Sequence, residues 1–539
     1  SKPPPNPLRP VGTLLKWLLY GTVATFGVAY YLDSRAAIHR WVAIPVLQAT
    51  ADPETAQKIA VQGLASGIMP RDMGVDDDVL QTKLFGKTLS NPIGLAAGFD
   101  KQGEAIDGLL GLGFGIVEIG SVTPEPQPGN DLPRYFRLDQ DRAAINRFGF
   151  NSDGHDAVLA RLQARIGTWL HSSGALNDVR VPISSSNVAS EVLAANPAVG
   201  PLLLDAAELP RSARAGQFLS VNLGKNKTSA ADSVDDYVKG VQKLGPYADM
   251  LVINISSPNT AGLRNLQHKE ALQKLLKSVV DARNELPQPQ APLLVKIAPD
   301  LSEGELNDIA DAALGAKVDG LIVSNTTVSR PASLLSPPHV TQETGGLSGP
   351  PVKPLAIKAL QTIYKRVGDK MPLIGCGGIA SGRDALDFAK AGASAVQLYT
   401  SFGYEGVGHP RRIKDELTAA LKEEGTTWQR SIGKGSPNTE PQLPDGELPR
   451  ARAGDASQHF DLAVASVKGE IEGLRNALGS HPRATAAPVF RSGSDEDSLV
   501  ERANRARGTE APSRSGKTAP QAPVAGDDGL TRGEQLERE

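Results

Sequence analysis

The stretch VINISSPNT at residues 252–260 joins a short apolar run to a cluster of amides and hydroxyls. Its β-branched start predicts a buried strand, and Pro258 ends that strand because proline cannot donate a hydrogen bond to the strand ladder. The polar side chains are therefore expected in a loop at the end of the strand. A hydroxyl placed there is a candidate catalytic base, and the residues alone leave the choice between Ser256 and Ser257 open.

Further runs of the same kind bring the number of predicted strands to eight. They lie at 93–97, 115–119, 218–222, 250–255, 293–297, 321–324, 372–376 and 395–399. Between most of them, apolar residues recur at a spacing near 3.6, which predicts helices. These helices are expected at 269–285, 303–316, 355–366 and 383–391. The alternation predicts an α/β fold, a parallel (β/α)₈ TIM barrel, with an open doubly wound sheet as the alternative.

Nearly every predicted strand is followed by a residue that can bind a ligand or react. In strand order these are Ala96-Ala97-Gly98 with Lys101, Gly120-Ser121, Asn222, Asn254 with Ser257, Lys296, Asn325-Thr326, Gly377-Gly378 and Tyr399-Thr400. Active sites of TIM barrels are built from the carboxyl ends of the strands. Turn formation explains a single Gly, Asn or Ser, but it does not explain two lysines, Lys101 and Lys296, expected at the same mouth.

Two of these strand ends suggest a phosphate group. Gly375-Cys376-Gly377-Gly378 and Tyr399-Thr400 supply backbone N–H groups and a hydroxyl after the seventh and eighth strands, where TIM barrels commonly bind phosphate. Combined with Lys296 and with the amides after the third and fourth strands, they predict a flat, phosphorylated cofactor such as FMN.

Seven ordered motifs resemble the membrane-bound, class 2 dihydroorotate dehydrogenases of the fungal mitochondrial type. They are AAGFDK at 96–101, EIGSVTP at 118–124, INRFGFN at 145–151, VNLGKNK at 221–227, NISSPNT at 254–260, VKIAPD at 295–300 and SNTT at 324–327. The resemblance extends from about residue 36 to about residue 423. It implies oxidation of (S)-dihydroorotate to orotate in de novo pyrimidine (UMP) biosynthesis, with FMN as hydride acceptor and ubiquinone as final electron acceptor.

The resemblance also implies the roles of individual residues. Ser257 is the base that removes a proton from C5 of dihydroorotate while hydride leaves C6 for flavin N5. Because a serine hydroxyl is a weak base, a proton path through Thr260 and a water is expected. The implied substrate-binding residues are Lys101, Asn146, Arg147, Phe148, Gly149, Phe150, Asn254, Asn259, Asn325 and Thr326. Those implied for FMN are Ala96, Ala97, Gly98, Ser121, Asn222, Asn254, Lys296, Ser324, Gly349, Gly377, Gly378, Tyr399 and Thr400.

The N-terminal region is expected to contact a membrane. After a short segment at 1–10, residues 11–32 are almost wholly apolar apart from Lys16. About 22 residues rising roughly 1.5 Å each just span a bilayer core, which predicts a single-pass transmembrane helix. A secretory signal is the alternative, but no clear small-residue cleavage site follows. With the family resemblance, the expected location is the mitochondrial inner membrane, in contact with lipid.

Two short amphipathic helices are predicted at 36–47 and 53–64, the second with Asp52 as N-cap and Pro53 in its first turn. Their apolar residues would be ordinary core in a soluble protein. Beside a membrane anchor, they make a small domain at 36–67 a plausible entrance for ubiquinone. The resemblance puts Gln48, Arg137 and Tyr399 along that tunnel. Where many relatives carry a histidine in the second helix, this chain has Gln57.

Composition limits the other functions. The 539 residues, of which 40% are hydrophobic, can build a large core, and the barrel is expected at 80–423. The net charge of −3 argues against general nucleic-acid binding. The single cysteine, Cys376, excludes an intrachain disulfide framework and a four-cysteine iron–sulfur site. The eight histidines show no HExxH spacing, so no metal is predicted.

Two regions are expected to lie outside the barrel. Residues 167–217 form an Ala/Ser/Pro-rich insertion too long for an ordinary connection, predicted to be a mobile excursion. Residues 426–539 are predicted to be a largely disordered extension, with a helix at 460–478 from a stripe of apolar residues. Such an extension could recruit a partner that the sequence does not identify.

Two other classes of function fit the sequence less well. A flavin barrel acting as a 2-hydroxy acid oxidase would want a histidine base, and no histidine follows a predicted strand in the required place. A membrane-tethered interaction scaffold would not need Lys101, Ser257 and Lys296 together. The quinone-linked dehydrogenase is therefore the leading interpretation.

Overall fold

The computed structural model describes residues 9–173, 199–260, 262–435 and 437–439. The chain divides into two compact units, residues 1–467 and 468–539. The second unit lies outside the described residues, and so does the helix predicted at 460–478.

The strands of the first unit build a barrel, a hairpin and a small sheet. In chain order they are β1 (Thr82–Leu84), β2 (Lys87–Leu89), β3 (Ile93–Leu95), β4 (Ile116–Val122), β5 (Tyr135–Leu138), β6 (Ala143–Asn146), β7 (Phe218–Leu223), β8 (Met250–Asn254), β9 (Leu293–Ile297), β10 (Gly320–Val323), β11 (Gly346–Ser348), β12 (Leu373–Cys376) and β13 (Ala395–Leu398). The eight strands β3, β4, β7, β8, β9, β10, β12 and β13 pair in parallel in that order, and β13 pairs with β3 to close the barrel.

The TIM barrel predicted from the sequence is confirmed, and the open doubly wound sheet is excluded. All eight predicted strands are present, displaced at either end by a few residues at most. Every residue of β8 and of β9 is buried. Strands covered on both faces read as continuous apolar runs, which is why the sequence identifies them so clearly.

Helices surround the barrel. In chain order they are α1 (Arg9–Leu32), α2 (Ile44–Thr50), α3 (Pro53–Ala65), α4 (Ile106–Gly111), α5 (His155–Ser173), α6 (Val199–Ala206), α7 (Asp235–Leu244), α8 (Lys269–Asn284), α9 (Glu303–Ala316), α10 (Pro338–Thr341), α11 (Lys353–Val367), α12 (Gly382–Lys390), α13 (Thr400–Glu405), α14 (His409–Glu423) and α15 (Trp428–Ser431). The four helices predicted between strands correspond to α8, α9, α11 and α12. Helix α9 starts at a capping box in which the Ser302 and Glu305 side chains each bond the other's backbone.

Two small sheets lie at opposite ends of the barrel. The antiparallel hairpin β1–β2 packs Leu84 and Leu89 against the first residues of the barrel strands, so it closes the amino-terminal end. At the carboxyl end, β6 pairs with both β5 and β11. Asn146 ends β6 and Ser348 ends β11, so this three-stranded sheet forms one wall of the barrel mouth.

The N-terminal helices begin close to their predicted positions. Helix α1 covers the predicted span at 11–32, but in the part of the chain that the structure describes, no helix has the length and hydropathy needed to traverse a bilayer. The first amphipathic helix contains a π-helical turn at His39–Ala43 and continues as α2 to residue 50. In α3 the Asp52 carboxylate accepts hydrogen bonds from the Glu54 and Thr55 N–H groups, as predicted for an N-cap.

Two predicted boundaries are corrected. The region 167–217 was expected to leave the barrel as a whole, but α5 extends to residue 173, and α6 buries Leu204. Gln217 bonds the carbonyl oxygens of Leu110 and Phe114. Residues 174–198 lie outside the description. The predicted disordered extension begins too early, because α15 buries Trp428, whose indole N–H bonds the Ser394 carbonyl at 2.9 Å.

Candidate active site

A cavity of about 1120 Å³, including its open mouth, lies at the carboxyl ends of the barrel strands. It collects nearly all the residues predicted to bind substrate or cofactor. Those that line it are Ala96, Ala97, Gly98, Lys101, Ser121, Asn146, Phe148, Gly149, Phe150, Asn254, Ser257, Asn259, Lys296, Ser324, Asn325, Thr326, Gly349, Gly377, Gly378, Tyr399 and Thr400. Among these described lining residues there is no histidine, so the site lacks the base expected of a 2-hydroxy acid oxidase.

Two predicted site residues lie behind or beside the cavity. Asn222 is fully buried behind it, where its side-chain oxygen accepts hydrogen bonds from the Ser121 hydroxyl and, at 3.3 Å, from the Asn254 amide. Arg147 turns away from the cavity, pairs with Glu343 at 2.5 Å and lies over the Phe136 ring. Asn222 therefore orients lining residues, and Arg147 anchors the loop that carries Phe148 and Gly149.

The geometry separates the two candidate serines. Ser257 lines the cavity and is 8% exposed, and its hydroxyl oxygen accepts a hydrogen bond from the Asn259 N–H at 3.3 Å. Ser256 is 0% exposed, and its hydroxyl donates to Asn254 Oδ1 at 3.1 Å and accepts from Asn325 Nδ2 at 2.9 Å. The Ser256 hydroxyl is thus committed to the walls of the site, whereas the Ser257 hydroxyl faces the cavity.

Thr260 follows in the same loop. Its hydroxyl is buried and has no hydrogen-bond partner among the residues that the structure describes. A buried hydroxyl normally has a partner, so an unpartnered one near a reactive group is suited to bond a water. This is the feature that a proton path from Ser257 would require.

Four asparagines around the mouth are linked in two pairs. Asn325 Nδ2 lies 3.3 Å from Asn254 Oδ1, and Asn259 Nδ2 lies 3.4 Å from Asn146 Oδ1. The carbonyl of Asn254 accepts a 2.8 Å hydrogen bond from the buried Tyr237 hydroxyl, which fixes the end of β8. An amide both donates and accepts, so this rim matches a small ring that carries N–H and C=O groups.

Lys101 brings a positive charge to the same rim. Its ammonium donates to Asn151 Oδ1 at 3.0 Å and lies 3.1 Å from the centre of the Phe148 ring. Burial lowers the pKa of Lys101 well below its ordinary value, and the charge of Glu54 opposes that shift. A desolvated cation without a carboxylate in direct contact is a natural partner for an anionic ligand.

A buried charge network beneath the cavity was not predicted. The Glu118 carboxylate in β4 is 0% exposed, and its oxygens accept hydrogen bonds from Asn222 Nδ2 at 2.8 Å and Gln397 Nε2 at 2.5 Å. Lys296 Nζ lies 3.7 Å from Glu118 Oε1 and is also nearly buried. The available signal was a charged residue in the interior of an apolar strand, because such a residue needs a buried partner.

The opposite side of the cavity has the shape of a phosphate cradle. The backbone at Gly349, Gly377 and Gly378 has positive φ angles of 96°, 129° and 80°. A Cβ at Gly378 would lie 2.7 Å from the Lys353 backbone nitrogen, so the close packing of these two backbone segments beside the cavity depends on glycine. The Thr400 hydroxyl donates to the Ser348 hydroxyl at 2.9 Å, and α13 starts at Thr400. These groups fit the phosphate of FMN, while Lys296 and the amides fit the polar edge of its ring.

Arg264 is a second residue that the sequence did not single out. Its guanidinium donates to the carbonyl oxygens of Ser256 and Thr326, at 3.1 Å each, and to Asp300 Oδ2 at 2.8 Å. It therefore ties together the loops after β8, β9 and β10. Such a link holds Ser257 and Thr326 in fixed positions relative to each other.

The predicted tunnel residues Arg137 and Tyr399 bond the helical pair, which comprises the π-turn, α2 and α3. Arg137 Nη2 donates to the Gln48 carbonyl at 2.9 Å, and the Tyr399 hydroxyl donates to Gln57 Oε1 at 3.2 Å. Gln57 also donates to the carbonyl oxygens of Gly98 and Phe99, at 2.7 Å each. Burial raises the pKa of Tyr399 well above its ordinary value, so its phenol stays protonated. Gln57 thus occupies the junction between the helical pair and the cavity.

The profile of one protein family, described as dihydroorotate dehydrogenase, matches residues 79–421, which contain the entire barrel and its mouth. This chain belongs to the dihydroorotate dehydrogenase family. The sequence-based recognition of that family is therefore confirmed.

Named dihydroorotate dehydrogenases are similar over most of their length. "Dihydroorotate dehydrogenase (quinone), mitochondrial" from Schizosaccharomyces pombe is 49% identical over 427 residues, which cover 78% of this chain and 92% of the relative. The protein of the same name from Mus musculus is 46% identical over 385 residues, 71% of this chain and 86% of the relative. This chain is thus an enzyme of the quinone-dependent dihydroorotate dehydrogenase type.

Solved structures of a dihydroorotate dehydrogenase agree with the fold. The ligand-free enzyme from Eimeria tenella superposes with a TM-score of 0.61 at 39% identity and covers 71% of this chain and 99% of that structure. The same enzyme in complex with ferulenol gives a TM-score of 0.60, also at 39% identity, and covers 71% and 95%.

Proposed function

We propose that this enzyme oxidises (S)-dihydroorotate to orotate, with FMN as hydride acceptor and ubiquinone as final electron acceptor, in pyrimidine synthesis at the mitochondrial inner membrane. The observation that supports it best is the shared cavity, in which the Ser257 hydroxyl, the Lys101 ammonium and a rim of linked asparagines all face one space. The names of the relatives, which specify quinone and mitochondrion, support the acceptor and the location.

In this proposal the substrate lies among groups that complement it. Lys101 meets the carboxylate, because its desolvated charge gains most from an anion. Asn146, Asn254, Asn259 and Asn325 share the ring N–H and C=O groups, and Thr326 and the backbone of Gly149 and Phe150 complete the rim. Arg147 takes no direct part, since it pairs with Glu343 outside the cavity.

Ser257 is the proposed base, and Ser256 is a positioning residue. The Ser257 oxygen takes the proton from C5 of dihydroorotate while C6 loses a hydride, so that a C=C bond forms and orotate results. The hydroxyl proton of Ser257 passes to a water bonded by the otherwise unpartnered Thr260 hydroxyl. The Ser256 hydroxyl keeps Asn254 and Asn325 in register.

When bound, FMN supplies a two-electron acceptor that links the dihydroorotate and quinone reactions. Residues Ala96, Ala97, Gly98, Ser121 and Ser324 would border its ring, and Gly349, Gly377, Gly378, Tyr399 and Thr400 its phosphate end. Lys296 would face the N1–C2 edge and favour negative charge there. Glu118 holds Lys296 from below and, with Asn222 and Gln397, fixes the charge that Lys296 presents.

The quinone would approach through the helical pair. Apolar side chains of α1, the π-turn and α2 are exposed to solvent, among them Trp17, Phe26, Trp41 and Val46. An exposed apolar surface of this kind suits a lipid bilayer. The proposed quinone path runs from it past Gln48 and Arg137, which bond each other, to Tyr399, which lines the cavity. Protease protection in sealed mitochondria would decide whether α1 crosses the membrane once or lies on it.

An anaerobic flavin experiment tests the proposed reaction. Detergent-solubilised protein is mixed with dihydroorotate, the flavin absorbance is recorded, and a soluble ubiquinone analogue is then added. We expect bleaching followed by recovery. Flavin that stays oxidised with dihydroorotate would contradict the substrate assignment, and bleached flavin that ignores quinone would contradict the acceptor.

A further inference from the structure

A second cavity of about 1120 Å³ lies away from the barrel mouth. It is enclosed by the end of α3 with the segment after it, by α4 and by α5. Four arginines line it, Arg71, Arg161, Arg165 and Arg214, together with two acidic residues, Glu104 and Asp107. None of these residues takes part in the proposed reaction.

The four guanidiniums differ in how they are satisfied. Arg165 forms a two-pronged pair with the Asp107 carboxylate at 2.8 and 2.9 Å, and Arg161 pairs with Asp153 at 2.7 Å. Among the described residues, the Arg214 guanidinium has only a 3.3 Å contact, to the backbone carbonyl of Asp107. In the described part of the chain, the Arg71 guanidinium has neither an ion pair nor a hydrogen bond.

Arg71 and Arg214 therefore bring positive charge into a cavity without carboxylates bound to them. Burial lowers the pKa of Arg214, as do the nearby charges of Arg165 and Arg71, while Asp107 opposes the shift. Guanidiniums that repel each other inside a cavity are stabilised by a shared anion, and their planar forks match the oxygens of a phosphate.

The place of the cavity suggests where the phosphate comes from. The Arg71 N–H donates to the Leu32 carbonyl at 2.8 Å, and the Arg71 carbonyl accepts from the Ser34 N–H at 2.9 Å. Arg71 is thus fixed to the last residue of α1, whose side chains from Trp17 onward are exposed and mostly apolar. The cavity wall also includes the apolar residues Leu64, Met69 and Ile106. A charged site with an apolar wall at the foot of a membrane-contacting helix suits an amphiphile.

We propose that this arginine cavity binds the phosphate headgroup of an anionic phospholipid and so fixes the enzyme at the membrane surface. The proposal rests on the membrane contact of the proposed function. Basic pockets beside membrane helices bind anionic headgroups by the same combination of charge and apolar contact. Arg71 and Arg214 supply the charge, whereas Arg161 and Arg165 brace the cavity through their acidic partners.

Vesicle flotation tests the proposal with the full-length, flavin-loaded enzyme. The vesicles contain phosphatidylcholine alone or phosphatidylcholine with phosphatidylglycerol. The variant R71Q/R214Q is compared with K274Q/K358Q, which removes two exposed charges from α8 and α11. We expect the arginine variant to lose about 30-fold in affinity for anionic vesicles, since each basic residue near such a surface contributes roughly fivefold. The lysine variant should lose much less.

Three controls separate the outcomes. Flavin content and thermal unfolding check that each variant is folded, and R71K/R214K should recover part of the affinity because it restores the charge. Wild-type-like binding by R71Q/R214Q, or equal binding of wild type to both vesicles, would overturn the lipid site but leave the membrane contact intact. Wild type that binds neither vesicle would contradict the membrane contact itself, and with it this proposal.

Inorganic phosphate distinguishes a lipid from a soluble ligand. If phosphate at millimolar concentration raises the unfolding temperature of wild type but not of R71Q/R214Q, and anionic vesicles have no such selective effect, the cavity binds a soluble phosphate and the lipid assignment is wrong. If the anionic vesicles raise the unfolding temperature of wild type but not of R71Q/R214Q, the result supports the lipid assignment.

Discussion

The barrel mouth and the surface of the helical pair are built differently. At the mouth, Glu118, Lys296 and Asn254 are at most 6% exposed and are held by ion pairs or hydrogen bonds that cross the barrel. On the helical pair, Trp41 and Val46 are 45% and 53% exposed. The difference indicates that proton and hydride removal needs fixed groups, whereas entry of a lipid-soluble acceptor needs an accessible apolar surface.

The largest effect is expected from Ser257→Ala. Loss of a positioned base costs about 10²- to 10⁴-fold in rate. Flavin reduction by dihydroorotate should fall by that factor, while flavin content and reoxidation by quinone stay unchanged. Stopped-flow absorbance measures both steps.

Ser256→Ala is the matched control for that variant. It removes a hydroxyl that makes two hydrogen bonds to residues lining the cavity, so it should lower stability by about 1–3 kcal/mol because Asn254 and Asn325 lose a buried partner. Its flavin reduction should exceed that of Ser257→Ala by at least tenfold. The reverse order would transfer the role of base to Ser256.

Lys101→Met should weaken dihydroorotate binding by one to two orders of magnitude, since a hydrogen bond to a charged group contributes about 1.5–3 kcal/mol. The wild-type enzyme should show the same loss of dihydroorotate affinity when the pH is raised. Burial lowers the pKa of Lys101 below 10.5, so the ammonium that attracts the carboxylate is lost as pH rises through that lowered value. Substrate affinity should therefore fall with rising pH in wild type and stay flat in Lys101→Met. Parallel profiles would remove Lys101 from substrate binding.

The helical pair is tested by W41S/V46S. Both side chains are exposed, so the barrel should keep its stability, but the quinone loses apolar contact area. We expect the KM for a long-chain ubiquinone to rise about tenfold, in line with roughly 1.5 kcal/mol of apolar contact. The KM for dihydroorotate should not change. L132S/V328S, which alters two other exposed apolar residues, is the control.

A smaller effect is expected at the buried network. Glu118→Gln removes the negative charge 3.7 Å from Lys296, so the remaining positive charge should favour reduced flavin. The flavin midpoint potential should rise by about 30 mV, which corresponds to about 1.4 kcal/mol for two electrons. The variant can keep its hydrogen bond to Gln397, which now donates to Glu118. The Gln397 amide is able to turn and accept instead, because its side-chain oxygen has no partner among the described residues.

Glu405→Gln provides a comparison for that shift. Glu405 is equally buried but is paired with Arg40 and Arg412, and it does not line the cavity. The Glu405→Gln variant should have lower stability than wild type but an unchanged flavin midpoint potential. An unchanged potential in Glu118→Gln would limit Glu118 to a structural role.

The sequence predicted the strands of the barrel better than its internal contacts. Strands buried on both faces are continuous apolar runs, so β9 and helix α9 were predicted with their observed bounds. The short strands β5, β6 and β11 were missed because each is at most four residues long and pairs with a distant segment. No local pattern marks a sheet of that kind.

The candidate site shows the same limit. Ser257 and Ser256 are neighbours with similar local sequence, and the folded chain distinguishes them: Ser256 bonds Asn254 and Asn325, whereas Ser257 lines the cavity. Glu118 and Gln397 are 279 residues apart, so their contact cannot be inferred from spacing. Motifs predict which residues gather at the mouth, whereas the partner of each side chain depends on how the barrel closes.

The most direct test measures the two half-reactions separately in two variants. Under anaerobic conditions, Ser257→Ala and W41S/V46S are each reduced with dihydroorotate, and separately reduced enzyme is mixed with a long-chain ubiquinone. The account predicts that Ser257→Ala is slow only in flavin reduction and that W41S/V46S is slow only in reoxidation by quinone. Slowing of both steps in either variant would contradict the assignment of proton removal to the barrel mouth and quinone entry to the helical pair.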